Sequence, residues 1–366
     1  MKVLLIPEIS ITGGTGTFIK HLMEIHKNLH IVTHVFLPHN LLESPFKAFF
    51  EDKGASIIAI PDRKPFEWIS YLSLIYEIKN YRSYIKKFKP DLIVCSTGTL
   101  GFNFFTFFCS YPLVFILHSY PKKVLWWEKP VFLIPKLFSN SSKIIYTVSK
   151  YSKRMIVDHW GVKEKNIHVI YNSTSSKNSL KYRPQKRIIL TVGHVVEYKN
   201  PFVWIEIAKQ ITQQYADTEF VWLGNGHLLE ECIAQTSGYP QIRFMGFEPE
   251  PSKYYSKAHI YLHPSRIESL GLSVIDALAY GVPSVISNAG GLPETVDDGF
   301  SGFICTVDDT STYCEKIKLL LHNRALYEEM AQNAYFCAKE RFNPDNQRNK
   351  ICALYKSTIA NYKASN

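Results

Sequence analysis

The chain has 366 residues, 46% of them hydrophobic and 20% charged, with a formal net charge of +10. That length exceeds what one ordinary core holds, so two domains of about 180 residues are expected, and the ordinary composition excludes a disordered or low-complexity chain. The charge is lopsided: residues 1–180 hold 23 Lys and Arg against 12 Asp and Glu, and residues 181–366 hold 19 against 20.

The N-terminus, MKVLLIPEIS, carries one lysine and an apolar run of only four residues, Val3 to Ile6. A secretory leader needs a longer run, so this reads as a buried first strand. Gly13-Gly14-Thr15-Gly16 follows it, and further on stand the basic block Lys86-Lys87-Phe88-Lys89 and another short strand, DLIV at 91–94. Gly98 to Leu117 is free of charge over twenty positions, long enough for a membrane span by length alone. Pro112 interrupts it and Thr99, Asn103, Thr106 and Ser110 recur through it. It reads instead as a turn, a buried aromatic helix and the strand VFIL at 114–117, which His118 closes. Lys122 and Lys123 then lie near Trp126 and Trp127. Cations mixed with aromatics suit an anionic membrane surface or a lipid-linked anion, and they equally suit a solvated basic face; both readings stay open.

IIYTV at 144–148 is the next strand, and the polar stretch 172–186, NSTSSKNSLKYRPQK, reads as a linker. Strands resume at 188–192, 219–223, 260–263 and 283–287. These runs are four or five residues long, bounded by turn signals and with little period-2 alternation. That is the pattern of parallel strands covered by helices on both faces, so the fold class is doubly wound α/β, twice over. In the tail, from Pro344 to Tyr362, Ile351, Leu354, Tyr355 and Ile359 fall on one helical face. The seven cysteines are scattered, with no CxxC spacing. Buried thiols in a reducing cytoplasm explain them better than a disulfide framework or a zinc site.

The stretch with the most chemistry runs from His263 to Gly302: HPSRIESLGLSVIDALAYGVPSVISNAGGLPETVDDGFSG. Pro264-Ser265 ends a strand, Glu268 lies in the following loop, and a helix is expected to begin near Gly271 or Leu272. Free amides in its first turn, with the helix dipole, make an anion seat that glycine lets a phosphate approach. Asp276, a turn or more later, can accept hydrogen bonds from a ribose diol. Surface solvation or helix capping would explain a lone Glu and a lone Asp. It would not explain Gly271, the Gly281-Val282-Pro283 turn and the Gly290-Gly291 loop before Pro293-Glu294 together.

This stretch resembles the donor site of the retaining glycosyltransferase family 4, the group 1 glycosyl transferases. That family carries a Glu, seven residues, a second Glu, a Gly-x-Pro turn and a Gly-Gly-x-x-Glu loop. Here the pattern is Glu268, seven residues, then Asp276, one methylene shorter. The resemblance runs through the chain in order. Gly14 lies in the glycine-rich loop after the first strand, and His118 stands where the family often has a histidine near the donor sugar. Gly193, His194 and Lys199 stand where it has Gly-Arg and Lys facing the donor diphosphate. A protonated His194 could serve in place of that Arg, because nearby phosphate raises an imidazole's pKa. Gly224-Asn225-Gly226 matches a Gly-x-Gly turn, and Arg243 to Gly246 matches the segment lining the base pocket.

The resemblance implies a GT-B fold, two Rossmann-like domains facing a central cleft, with the C-terminal helix crossing back. The expected parts are an acceptor-binding domain at 1–175, a donor-binding domain at 185–343 and a helix at 344–366 that packs back on the first. The implied activity is transfer of a hexosyl or N-acetylhexosaminyl group with retention, in surface polysaccharide assembly (O-antigen, capsule or exopolysaccharide). No metal or other cofactor is expected, and no Asp-x-Asp triplet is present. The donor would be a UDP- or GDP-sugar, and the acceptor a saccharide or a polyprenyl-diphosphate-linked saccharide. The expected location is the cytoplasm, with peripheral attachment at the inner face of the membrane. Glu268, His118 and Lys199 would be catalytic. Gly14, Gly193, His194, Lys199, Arg243, Gly271, Leu272 and Asp276 would bind the donor. A nucleotide-sugar epimerase and a non-catalytic nucleotide-sugar-binding protein are the alternatives on the same fold. A dehydrogenase is disfavoured, because Ile19 stands where the third glycine of G-x-G-x-x-G belongs and no acid ends the second strand, HIVTHVF. No nucleic-acid-binding module is recognisable.

Overall fold

The computed structural model describes residues 1–7, 14–60, 62, 81–97, 104–120, 129–174 and 187–365. Gly13, residues 98–103, the Lys122–Trp127 cluster and most of the expected linker lie outside them. The chain forms two compact units, residues 1–170 with 348–366, and residues 171–347.

The first unit is built on seven parallel strands: β1 Lys2–Pro7, β2 Val32–Pro38, β3 Ser56–Ile60, β4 Leu92–Thr97, β5 Leu113–Leu117, β6 Lys143–Thr147 and β7 Ile167–Val169, in the order β3-β2-β1-β4-β5-β6-β7. The second has six: β8 Arg187–Val192, β9 Thr218–Leu223, β10 Ile242–Phe244, β11 Ile260–His263, β12 Ser284–Ser287 and β13 Gly302–Cys305, in the order β10-β9-β8-β11-β12-β13. Every pairing between these strands is parallel. Strand order reverses between β1 and β4 in one sheet and between β8 and β11 in the other. In doubly wound sheets, ligands bind outside the carboxyl ends of the strands at such a reversal.

The eight apolar runs expected as strands are all strands, with ends shifted by at most three residues. HIVTHVF forms β2, and four further strands, β3, β7, β10 and β13, complete the sheets. The charge-free stretch becomes a short 3-10 helix, Phe104–Phe108, followed by β5. No helix among the described residues is long and apolar enough to cross a membrane.

Each sheet is buried on both faces. In the second unit Trp204, from helix Pro201–Gln214, meets Trp222, Phe220 and Phe244 at ring-centroid distances of 5.2, 5.6 and 5.2 Å. Such edge-on aromatic pairs contribute about 0.5–1.5 kcal/mol each beyond their buried area. The last helix, Pro344–Ser365, buries Ile351, Leu354 and Tyr355 in the core of the first unit beside Leu22 and Val3, with Ile359 packed against that core. Its Tyr355 also bonds the buried His26 at 3.2 Å, so the apolar stripe seen in the tail has its counterpart within unit 1. All seven cysteines are free, and six are buried.

Candidate active site at the carboxyl edge of the second sheet

β8 ends in the turn Gly193-His194. The indole of Trp222 donates to the Gly193 carbonyl at 2.8 Å, and Gly193 N donates to Leu223 O at 2.9 Å. A Cβ at Gly224 would stand 2.0 Å from that same carbonyl, and Gly224 has φ +145°. Glycine is therefore required there, because the two turns meet main chain to main chain. His194 is half-buried; burial and the neighbouring Lys199 both push its pKa below the ordinary value. Both disfavour a proton on this ring, and the proton expected beside a phosphate has to overcome them.

Lys199 closes the 3-10 turn Glu197–Lys199, and Asn200 follows in the left-handed region at φ 62°. Asn200 Nδ2 donates to Pro264 O at 3.1 Å and to Asp308 Oδ1 at 2.7 Å. Arg266 N donates to Tyr198 O at 2.8 Å, and the Arg266 guanidinium pairs with Asp308 at 3.0 Å. The loop after β8 is thus tied to the loop after β11, across the point where strand order reverses. Lys199 Nζ donates to Glu268 Oε2, and His263 Nε2 lies 3.3 Å from that oxygen. The Lys199 and Glu268 side chains are only 13% and 17% exposed, so their attraction is weakly screened. Burial pushes the Glu268 carboxyl up, but Lys199 and His263 outweigh it and bring it down to about 2.

The backbone behind Glu268 is equally constrained. Gly291 N donates to Glu268 O at 2.9 Å, and a Cβ at Gly290 would stand 2.0 Å from that oxygen. Gly271, at φ 101°, precedes helix Leu272–Ala279, where no side chain caps the N-terminus. The first-turn amides at Leu272 and Ser273 therefore remain as anion donors a few residues from the Lys199–Glu268 pair.

Asp276 lies on that helix and accepts from Thr174 Oγ1 at 3.0 Å. Glu294, in the 3-10 turn Leu292–Glu294, accepts from Tyr171 OH at 2.9 Å, and Ser173 donates to Gln347 at 2.8 Å. Residues 172–174 read as linker in the sequence. Here they are buried in the second unit, because their hydroxyls find polar partners on its helices.

Arg243 stands apart from this cluster. It lies on the edge strand β10 and pairs with Glu219 of β9 at 2.5 Å. In the first unit, His118 follows β5, its Nε2 lies 2.8 Å from Ser96 Oγ and its ring packs 4.4 Å from Phe18. Burial lowers its pKa to about 3, so it is a neutral hydrogen-bonding group. Phe18 lies one helical turn beyond Gly14, which opens helix Gly14–Asn28. Gly14 and His118 therefore share one end of the first sheet. Lys199, Glu268, Gly193, His194, Gly271 and Leu272 share the carboxyl edge of the second.

The sequence reading passed over His263, Tyr261 and Thr174. His263 and Tyr261 carry a period-2 signal at the end of a strand, two polar side chains on one face just before the Glu268 loop.

Two family models match side by side. Glycosyltransferase Family 4 matches residues 12–176, and Glycosyl transferases group 1 matches residues 172–336. The chain belongs to glycosyltransferase family 4. This glycosyltransferase is 24% identical over 384 residues to an uncharacterized 41.2 kDa protein in the cps region of Klebsiella pneumoniae, covering 98% of this chain and 100% of that one. It is also 24% identical over 279 residues to the sulfoquinovosyl transferase SQD2 of Arabidopsis thaliana; the match takes in 69% of this chain and only 54% of that longer protein. In fold it resembles Anabaena Alr3699/HepE, solved in complex with UDP and glucose, with a TM-score of 0.75, 18% identity and coverage of 98% and 100%. The fold is two Rossmann-like units of the GT-B type.

Proposed function

We propose that this glycosyltransferase takes a hexosyl or N-acetylhexosaminyl group from a UDP- or GDP-sugar and transfers it with retention to a saccharide or polyprenyl-diphosphate-linked saccharide. The setting would be surface polysaccharide assembly at the cytoplasmic face of a membrane. The observation that carries the reading is the Lys199–Glu268 pair, which stands beside uncapped helix amides where strand order reverses. An ammonium and oriented amides suit a diphosphate leaving group, and preorganised donors do this work without reorganisation. In this reading no metal takes part. Asp276 would accept from the ribose, and Glu268 would hold sugar hydroxyls. The acceptor hydroxyl would attack the anomeric carbon from the side of the leaving group. The bond to the phosphate oxygen breaks, and that oxygen takes the hydroxyl proton.

The first unit would take the acceptor. Its helix Lys129–Phe138 exposes Leu133, Leu137 and Phe138 beside the cation Lys136, a face suited to an anionic bilayer. The cps-region relative and the UDP and glucose in the Anabaena structure support a polysaccharide setting and a UDP-sugar donor. A thermal-shift screen against UDP-, GDP-, ADP- and CMP-sugars tests the reading. Stabilisation by one nucleotide class and its sugars is expected. No shift with any of them, at concentrations that saturate ordinary transferases, would count against it.

A further inference from the structure

We infer that His263 is a positioning residue, whose imidazole pins one oxygen of Glu268 and so presents the other to the substrate. The inference rests on the reading that Glu268 lies in the donor site.

His263 is the last residue of β11 and is 1% exposed. Its Nε2 lies 3.3 Å from Glu268 Oε2 and 3.1 Å from Ser265 Oγ. Its Nδ1 lies 3.5 Å from Tyr261 OH, two residues back on the same face of the strand, and the two rings stack 5.9 Å apart at 18°. The Tyr261 oxygen accepts from Val192 N and lies equally close to Val192 O, both at 3.2 Å, and its single proton faces that carbonyl and His263 Nδ1. A line of hydrogen-bonding groups therefore runs from the main chain at the end of β8, through Tyr261 and His263, to the acid after β11.

An ionised carboxylate can only accept, so the ring nitrogen facing Glu268 must carry the proton. Burial and the nearby Lys199 both oppose a second proton on the ring, against the pull of Glu268. The imidazole is thus a neutral donor, fixed in tautomer by its acid partner. Lys199 and His263 both meet Oε2. No hydrogen bond among the described residues reaches Oε1, which is left to accept from a substrate hydroxyl. Without His263, Lys199 alone would hold the carboxylate, and a single flexible ammonium fixes direction poorly. The charged and titratable groups around the ring are Lys199, Glu268 and Tyr261, with Tyr255 and Asp276 beyond Tyr261.

The test uses the full chain with carboxyl-labelled glutamate, titrated by 13C NMR, with the Glu268 resonance assigned from Glu268→Gln. It is read beside release of UDP from UDP-glucose and of GDP from GDP-mannose. His263→Leu keeps the volume and removes the donor; His263→Gln restores an N–H near the Nε2 position. Glu268 should titrate well below an ordinary glutamate in the parent and in His263→Gln, and about one pH unit higher in His263→Leu. Turnover of the accepted donor should fall on the order of tenfold in kcat in His263→Leu, with KM little changed, and should recover in His263→Gln. An unmoved Glu268 titration in His263→Leu overturns the inference whatever turnover does, and so does an unchanged kcat. Normal turnover by Glu268→Gln would instead sink the donor-site reading, on a different variant.

Discussion

At the carboxyl edge of the first sheet, His118 meets Ser96 and Phe18, and burial keeps it neutral. At the same edge of the second sheet, Lys199 meets Glu268, and their mutual attraction keeps the acid ionised. The two sheets have the same parallel, doubly wound topology. The charge runs the other way from these edges: the basic excess lies in the first half of the sequence, and the second half is close to balanced. Net charge therefore does not locate the chemistry. The second unit spends a few charges where strand order reverses, and the first spreads many over its surface. A diphosphate needs fixed charge at one point, whereas a large amphiphile or a bilayer responds to the summed field.

The largest expected effect falls on the second unit. Lys199→Met or Glu268→Ala should lower kcat/KM by about 10²–10³-fold, the cost of one lost charge-stabilising group in a preorganised site. Each also leaves a partly buried charge without its partner, so a drop in Tm should accompany the loss. Steady-state kinetics with thermal denaturation checks both. Near-parent kcat/KM in either variant would erase the contrast between the two edges.

A smaller loss is expected from the first unit. His118→Asn should reduce kcat by roughly 10- to 100-fold, the scale of a misplaced reacting group, while leaving UDP or GDP affinity unchanged. Weakened nucleotide binding in that variant would break the division of labour. Third, Leu137→Asp should release the protein from anionic vesicles several-fold at low salt with little effect on Tm, because Leu137 is 69% exposed. Cosedimentation with phosphatidylglycerol vesicles reads this, and equal partitioning of parent and variant counts against a bilayer-facing role for that helix.

The smallest effect concerns pH. Burial lowers the His26 pKa to about 4 in the fold, against 6.5 for a free imidazole. As pH falls below 6.5 the unfolded chain takes up the proton first. Stability is then complete above 6.5 and is lost progressively as pH falls toward 4. Glu268 acts lower, its contribution present above 4.5 and lost as pH falls toward 2. His26→Gln should therefore flatten the fall of Tm between pH 6.5 and 4. An unaltered slope would mean that His26 takes no part.

Much of this was legible in the residues. VLLI, VFIL and IYLH read as buried parallel strands because apolar runs that short, flanked by turns, fit little else. Gly271 and Gly290 were legible because only glycine fits them: Gly271 holds φ +101°, and a Cβ at Gly290 would stand 2.0 Å from Glu268 O. β7 and β10 are only three residues long and carry His168 and Arg243, so no apolar run announces them. Thr174 and Tyr171 were hidden for a different reason. A Ser- and Thr-rich segment looks like linker until the fold supplies acceptors, here Asp276 and Glu294. Arg243 shows the converse, a cation in a matching segment whose guanidinium faces a neighbouring strand's acid.

The central claim is that Lys199 and the helix amides beside Glu268 recognise a nucleoside diphosphate. The most direct measurement is calorimetric titration of the parent and Lys199→Met with UDP, GDP, uridine and guanosine. The parent should bind one diphosphate at least about tenfold more tightly than its nucleoside, and Lys199→Met should lose most of that preference. A parent that prefers neither diphosphate, or a variant that discriminates as well as the parent, would contradict the account.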